Sequence, residues 1–189
     1  MVGDMFREDL PPVVGVSGKS GSGKDKFYAT VLAKLGYTRL ALADAVRVLS
    51  SILLVRSLPG IMENEKEILR IFPSIYREFF VMDKDPFSRT YLQYVGTDLA
   101  RNYDEDYWVK TLDPLVEERL NKGIKVAITD VRFPNESRYV KSKGGVVVLA
   151  TGESRYSKDS FEASHPSESL EGVEFDMTAE EFVRRFLGE

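Results

Sequence analysis

The residues with the clearest chemical spacing form one glycine-rich stretch, residues 18–25, which we call the phosphate loop. Its glycine and lysine positions fit G-x-x-x-x-G-K, a pattern in which main-chain amides wrap a polyphosphate. Glycine is required because a residue without a Cβ lets the backbone approach phosphate oxygens and adopt positive φ. The lysine adds a point charge, and the helix predicted after it adds unpaired N–H groups. The residues predicted to bind the phosphates of a nucleotide are Gly18, Lys19, Ser20, Gly21, Ser22, Gly23, Lys24 and Asp25.

The last position of this stretch departs from the usual pattern. Ser or Thr normally stands there and contacts Mg²⁺ through its hydroxyl, whereas this chain has Asp25. A carboxylate beside nucleotide phosphates repels them unless a cation lies between, so we interpret Asp25 as a metal ligand, either directly or through water. The alternative is an Asp that only satisfies the dipole of the following helix.

A second acidic candidate, Asp130, follows an apolar segment, residues 124–129, that predicts a strand. Ligands bind at the carboxyl ends of strands in an open parallel sheet. An acidic residue there is what a Walker-B-like metal or water site requires, and a plain turn or cap residue is the alternative. Arg132 follows two residues later, and Glu136 is either a helix-start residue or an anchor for Arg132.

Further candidates lie between these two motifs. Asp44 is predicted to cap the helix that follows a second strand, residues 37–43. Arg47, one turn into that helix, can pair with an acceptor phosphate or remain solvated. Gly96 opens a Gly-Thr-Asp inside a helical pattern and costs about 1 kcal/mol relative to Ala. Close approach of a ligand or of another backbone would offset that cost. Trp108 is either a core residue or a stacking platform.

The elements that must position these residues alternate between strands and helices. Such an order is typical of an α/β fold with a parallel sheet. The predicted strands are residues 13–17, 37–43, 124–129, 146–150 and 175–176. The predicted helical segments are residues 27–35, a segment from 44, residues 61–82 interrupted at Pro73, a segment from 85, residues 106–120, a segment from 133 to Gly144, and a last helix opened by a capping box at Thr178–Glu181.

Composition limits the partners. A net charge of −4 leaves no basic field for duplex nucleic acid, so no nucleic acid polymer is expected. The absence of cysteine excludes disulfides and thiolate catalysis and fits a reducing compartment. A single histidine, His165, leaves no multi-histidine metal site. No apolar run reaches the roughly 20 residues of a membrane span, and residues 1–10 do not read as a signal peptide. We therefore expect small anionic substrates, no membrane and a cytoplasmic location.

Together these motifs make the chain resemble the phage-type deoxynucleoside monophosphate kinases of the P-loop kinase superfamily. The resemblance lies in five stretches in the family's order, residues 18–25, 92–101, 108–109, 129–136 and 165–168. Asp after the loop lysine belongs to that pattern. Lys26 departs from it, since Thr is expected there, and residues 57–86 match nothing in it.

The resemblance implies a P-loop NTPase-type three-layer sandwich with a central parallel sheet and a helical insert or lid. It implies one domain over residues 1–189, with a substrate-binding insert at about 57–105. The implied reaction is ATP plus dNMP giving ADP plus dNDP, with Mg²⁺. A homodimer and a cytoplasmic location, in the host if the protein is phage-encoded, are also expected.

The roles that follow from the resemblance fall into four groups. The catalytic residues would be Lys24, Asp130 and Arg132. ATP would be bound by residues 18–25 together with Arg155, which stands in a polar loop and is otherwise a solvated residue. The metal would be held by Asp25 and Asp130. The acceptor nucleotide would be bound by Asp44, Arg47, Gln93, Thr97, Asp98, Arg101, Trp108 and Arg132.

Two rival functions remain at the level of sequence. The first is a P-loop kinase of another small phosphate acceptor, similar to phosphomevalonate or dephospho-coenzyme A kinases; the segments at Gly96–Asp98 and Asp130–Phe133 argue against it. The second is a nucleotide-binding protein that transfers no phosphate, for which Lys26 and the unmatched insert leave room.

Overall fold

Five parallel strands form the sheet of the larger of two structural units. The computed structural model describes residues 10–58, 65–77, 86–153 and 165–188. The larger unit contains the described residues up to Ala41 and from Leu112 onward. Its strands are β1 at Val13–Ser17, β2 at Thr38–Leu40, β3 at Val126–Val131, β4 at Val146–Leu149 and β5 at Met177–Thr178. They lie in the order β2-β3-β1-β4-β5, and every neighbouring pair is parallel. The predicted α/β class with a central parallel sheet is confirmed.

The central strand, β1, lies at its predicted position, Val13–Ser17, and all five residues are buried. A strand covered on both faces needs such an apolar run.

The last strand begins two residues later than predicted. Asp176, placed in the strand by sequence, instead accepts a hydrogen bond from the Val147 N–H through Oδ2 at 2.8 Å. Its own N–H donates to the Val147 carbonyl at 2.9 Å. The side chain of Asp176 therefore takes over one strand-pairing bond, and β5 starts at Met177.

Helices cover both faces of the sheet. On one face, Val14 and Val16 pack in one buried cluster with Phe27 and with Phe182. On the other face, a Cβ on Gly15 would lie 2.9 Å from Val140 Cγ2, so the helix carrying Val140 contacts the strand directly. The predicted three-layer sandwich is therefore present in this unit.

The helices of the larger unit follow the strands in sequence. The helix after β1, α1, spans Lys24–Phe27 and continues as a π-helical turn at Tyr28–Leu32. The others are the part of α6 (Tyr107–Asn121) from Leu112 onward, α7 at Pro134–Ser142, α8 at Pro166–Ser169 and α9 at Ala179–Leu187. The predicted capping box at Thr178 and Glu181 opens α9.

The second unit, Leu42–Thr111, is helical in its described part. Two expectations for it are wrong. Asp44 lies in the first turn of α2, which spans Leu42–Ser57, and does not cap it, because the helix already begins at Leu42. Pro73 does not interrupt its helix, which runs through to Ile75. Leu69, whose carbonyl would accept the missing Pro73 N–H bond, is 76% exposed, so water can satisfy it.

The helices of this unit are α2 at Leu42–Ser57, α3 at Glu65–Ile75, α4 at Pro86–Gln93, a π-helical turn at Tyr94–Leu99, α5 at Ala100–Tyr103 and the start of α6. None of the helices in the described ranges combines the length and apolar composition that a membrane crossing needs.

Candidate phosphate-binding site

The phosphate loop joins the central strand to α1. Gly18, Gly21 and Gly23 all have positive φ, at 141°, 86° and 94°. Residue 18 must also lack a side chain, because a Cβ on Gly18 would lie 2.4 Å from Ser22 Oγ and 2.7 Å from the Ala150 carbonyl oxygen. The backbone conformation that the glycine spacing predicts is therefore the one found.

The segment after β4 fixes the loop from outside. The Gly152 N–H donates to the Ser22 carbonyl at 3.1 Å. A Cβ on Gly152 would lie 2.5 Å from that carbonyl oxygen, so only glycine allows the two backbones to come this close. Within the loop, the Ser22 N–H closes a turn on the Lys19 carbonyl at 3.1 Å.

Donors remain in this cradle for an anion. Over the described ranges, Ser17 Oγ and Ser22 Oγ are buried hydroxyls that have no hydrogen-bond partner. The first amides of α1, which begins at Lys24, have no acceptor within the helix. Unsatisfied buried hydroxyls and helix-start amides are the groups that phosphate oxygens satisfy, so the residues present fit a polyphosphate.

Lys24 reaches back over the loop. Its Nζ donates to the carbonyl oxygens of Gly18 at 2.5 Å and of Lys19 at 2.7 Å. Burial, with the nearby Arg132 cation as the second cause, lowers the pKa of Lys24 from 10.5 to about 8. The carboxylates that act in the opposite direction are Glu168, Asp25 and Asp130. Four charged residues from three chain segments therefore lie around one lysine.

Asp130 is carried by an irregularity in β3. Gly15 pairs with Ile128, but Ser17 pairs with Val131, so β3 carries one extra residue over this stretch. A bulge of this kind redirects a side chain and is common next to active sites. Asp130 is not a helix cap, since the N-cap position of α7 is Phe133.

Arg132 is held at two points. Its backbone N–H donates to Glu136 Oε2 at 2.7 Å, and the Phe133 N–H donates to the same oxygen at 3.1 Å. Its guanidinium Nη1 forms an ion pair with Glu168 Oε1. Glu136 is thus both a helix-start residue and an anchor of the Arg132 backbone.

Glu168 is absent from the site residues predicted from sequence. It lies in α8, is 6% exposed, and accepts the Ser20 N–H through Oε2 at 2.8 Å. Composition and periodicity give no signal for it; its one signal is membership of the stretch 165–168 in the resemblance.

The donor set also fits a magnesium ion that shares phosphate ligands. In the part of the chain that the structure describes, no group of three or more His, Cys, Asp and Glu residues could hold a metal ion by itself. Mg²⁺ is commonly bound by one or two carboxylates and completed by substrate phosphates and water. Asp25 and Asp130 supply two carboxylates near Lys24.

The residues predicted to bind the acceptor lie in the second unit, apart from Arg132. Arg47 Nη1 is paired with Asp44 Oδ1 at 2.5 Å. Gln93 ends α4, and Thr97 and Asp98 lie in the π-helical turn. Arg101 lies in α5 and donates to the Glu105 carbonyl at 3.3 Å.

Gly96 and Trp108 form the support of that turn. Trp108 is 3% exposed, and its Nε1 donates to the Gly96 carbonyl at 2.7 Å. A Cβ on Gly96 would lie 3.3 Å from Val46 Cγ1, so the close neighbour among the described residues is a side chain of α2 and not the second backbone named as one possibility from sequence. Contact of Gly96 with a ligand stays a prediction. Contact of Trp108 with a substrate stays a prediction. Arg155 lies outside the described residues.

Comparison with known proteins places these residues in a family. The family model for deoxynucleotide monophosphate kinase matches residues 32–172, a range that begins after the phosphate loop and includes Asp130, Arg132 and Glu168. A mimivirus protein (Acanthamoeba polyphaga mimivirus) named "Putative deoxynucleotide monophosphate kinase" is 27% identical over 82% of this chain and 80% of its own length. The "Uncharacterized protein ORF77" of Ictalurid herpesvirus 1 (strain Auburn) is 28% identical over 77% of this chain. The chain spans 53% of that herpesvirus protein. Because the family model covers most of the sequence, this chain belongs to the deoxynucleotide monophosphate kinase family.

Proposed function

We propose that this protein transfers the γ-phosphoryl group of ATP to a deoxynucleoside monophosphate and produces ADP and a deoxynucleoside diphosphate. The observation that carries the proposal is the grouping of Lys24, Asp25, Asp130 and Arg132 at the phosphate loop. Family membership supplies the class of acceptor. Phosphoryl transfer depends mainly on positioning and on neutralising charge, which is what such a group offers.

The phosphate loop binds the phosphates of ATP in this proposal. The loop amides and the hydroxyl of Ser22 surround the phosphate oxygens. Lys24 exchanges its present acceptors, the carbonyls of Gly18 and Lys19, for oxygens of the β- and γ-phosphates. The exchange is favourable because an ammonium binds a charged phosphate more strongly than a neutral carbonyl.

Asp25 and Asp130 would hold the magnesium ion. When bound, Mg²⁺ would neutralise negative charge on the phosphates during transfer. Binding of that cation by Asp25 and Asp130 would offset the repulsion between these two carboxylates and the phosphates.

Arg132 stabilises the transferred group by spreading its negative charge over a planar guanidinium. Arg155 is proposed to add a further positive charge that binds the ATP phosphates. On the acceptor side, Arg47 and Arg101 hold the monophosphate, which requires Arg47 to exchange Asp44 for phosphate. The base and sugar are contacted from the segment that contains Gln93, Thr97, Asp98 and Trp108.

The test is an acceptor panel with ATP labelled in its γ-phosphate. We expect labelled diphosphates from one or more deoxynucleoside monophosphates, measured by chromatography, with ribonucleotides as controls. Label that appears only on phosphomevalonate or dephospho-coenzyme A would contradict the proposed acceptor. Calorimetric binding of ATP without ADP formation in the presence of any dNMP would contradict the transfer itself.

A further inference from the structure

Glu168 connects two groups that the proposed function assigns to phosphate. Its Oε2 accepts the N–H of Ser20 in the phosphate loop at 2.8 Å, and its Oε1 pairs with the Arg132 guanidinium. Ser20 and Glu168 are 148 residues apart in sequence. One buried carboxylate therefore joins the loop after β1 to the segment after β3.

This contact completes the fixation of Arg132. Glu136 holds the backbone N–H of Arg132, and Glu168 holds the guanidinium. The Arg132 side chain is 24% exposed, so it lies at the edge of the buried site. A guanidinium has five N–H donors and can bind a carboxylate and a phosphate oxygen at the same time. The ion pair with Glu168 is therefore compatible with a role of Arg132 at phosphate.

Stability alone is a poor reason for such a pair. Removing two charges from water costs about as much as their attraction returns, and buried ion pairs can often be replaced by apolar residues without loss. What a buried pair does supply is a defined orientation of its charged groups. At this site it also places a negative charge near Lys24 and Arg132, two cations that would otherwise repel each other.

We propose that Glu168 is a positioning residue, which holds the Arg132 guanidinium against the phosphate loop at Ser20 so that it is oriented before nucleotide binds. The inference rests on the proposed function for its catalytic consequence. Glu168 itself exchanges no proton and forms no covalent bond in this role. Its effect on the reaction passes entirely through Arg132.

The first test is the Glu168→Gln variant, which keeps an oxygen acceptor for Ser20 but loses the charged pair. We expect kcat to fall by about tenfold or more, with a change in the KM for ATP within about threefold, because orientation matters most in the transition state. Glu168→Asp, which is too short to reach both partners, should show the same pattern. Glu171→Gln, an exposed change three residues later, is the matched control and should match the wild type.

A double-mutant cycle separates positioning from a general structural role. In an Arg132→Ala background, Glu168→Gln should change kcat by less than about twofold, because its effect acts through Arg132. An equal loss in both backgrounds would overturn the inference. So would an unchanged kcat with tighter ATP binding, since Glu168 would then only compete with phosphate for the loop.

The second test does not depend on turnover. Phenylglyoxal modifies guanidinium groups, and its rate at Arg132 can be followed by peptide mass spectrometry. The rate should rise several-fold in Glu168→Gln and stay constant at Arg184, whose side chain is 67% exposed. An unchanged rate at Arg132 would overturn the inference. A wild-type protein that phosphorylates no dNMP would overturn the proposed function, and the labelling would still decide whether Glu168 holds Arg132.

Discussion

The phosphate loop and the π-helical turn at Tyr94–Leu99 both depend on glycine, but for opposite reasons. In the loop, Gly18 has positive φ and lies against polar atoms, Ser22 Oγ and the Ala150 carbonyl. In the turn, Gly96 lies against the apolar side chain of Val46, and its carbonyl is already bonded to Trp108. The first region retains donors for a ligand, whereas the second satisfies its backbone internally.

This difference separates the proposed anion site from a region whose glycine serves packing. In the described structure, the hydroxyls of Ser22 in the loop and of Ser17 just before it are buried without a partner, and burial disfavours the charge of Lys24. Both features cost stability in the nucleotide-free protein, and in our proposal a bound polyphosphate relieves them. We therefore expect substitutions in the loop to change ATP-dependent turnover, and substitutions at Gly96 and Trp108, whose contacts support the turn, to change stability.

The largest effect is expected for Lys24→Ala. The variant removes the ammonium proposed to bind the β- and γ-phosphates, so turnover should fall by about 10²-fold or more. Circular dichroism should be unchanged, because Lys24 makes hydrogen bonds only to loop carbonyls. Lys26→Ala, an exposed lysine two residues later, is the control. Full activity of Lys24→Ala would contradict the assignment of this loop as the phosphate-binding site.

Asp130→Ala should have a similar effect on turnover, again by about 10²-fold, while the fold survives. Its carboxylate lies at the bulge of β3, and the buried strand residues around it remain. The measurement is a steady-state assay together with thermal unfolding. Loss of the unfolding transition would show that Asp130 serves the sheet and not the phosphates.

Asp25→Asn should act through the metal. Loss of one carboxylate ligand should raise the Mg²⁺ concentration for half-maximal rate by about tenfold. A magnesium titration of the rate measures this. An unchanged Mg²⁺ concentration for half-maximal rate would show that Asp25 does not bind the metal and only interacts with the helix dipole.

Trp108→Phe tests the other side of the comparison. It leaves the partly buried Gly96 carbonyl without its indole donor, which should lower the free energy of unfolding by about 1 kcal/mol. ATP affinity, measured by calorimetry, should stay within about twofold of the wild type. A large loss of ATP affinity with unchanged stability would contradict the distinction, because Trp108 would then serve ligand binding and not packing.

The smallest effect is a pH dependence of stability due to Lys24. Its pKa is lowered by burial to about 8 in the folded protein, against 10.5 when unperturbed. Between these values the unfolded chain binds more protons, so this group's contribution to stability rises with pH. Below pH 8 the folded protein bears the full cost of the buried charge.

Lys24→Met should therefore stabilise the nucleotide-free protein at pH 7, and the gain should disappear by about pH 10.5. The difference between wild-type and variant unfolding midpoints across this range isolates the lysine from other titrating groups. A difference in unfolding midpoint that stays constant with pH would show that burial does not disfavour the charged form of Lys24.

Features set by neighbouring residues could be predicted from sequence. The strand Val13–Ser17, the positive φ of the loop glycines and the capping box at Thr178 depend on local patterns, and the structure contains all three. The grouping of Asp130 and Arg132 with the loop followed from the rule that ligands bind at the carboxyl ends of parallel strands.

Features set by distant contacts could not be predicted. The bulge in β3 depends on its register with β1, and the late start of β5 depends on Asp176 pairing with β4. Glu168 is the clearest case, because its partners Ser20 and Arg132 come from other segments. No pattern within residues 165–168 shows which groups that carboxylate will meet.

The most direct measurement of the central claim is a crystal structure with a non-hydrolysable ATP analogue and Mg²⁺. We predict that the triphosphate lies in the phosphate loop, contacts Lys24 Nζ, and shares its cation with Asp25 and Asp130. A triphosphate bound elsewhere, with residues 18–25 making no contact to it, would contradict the account.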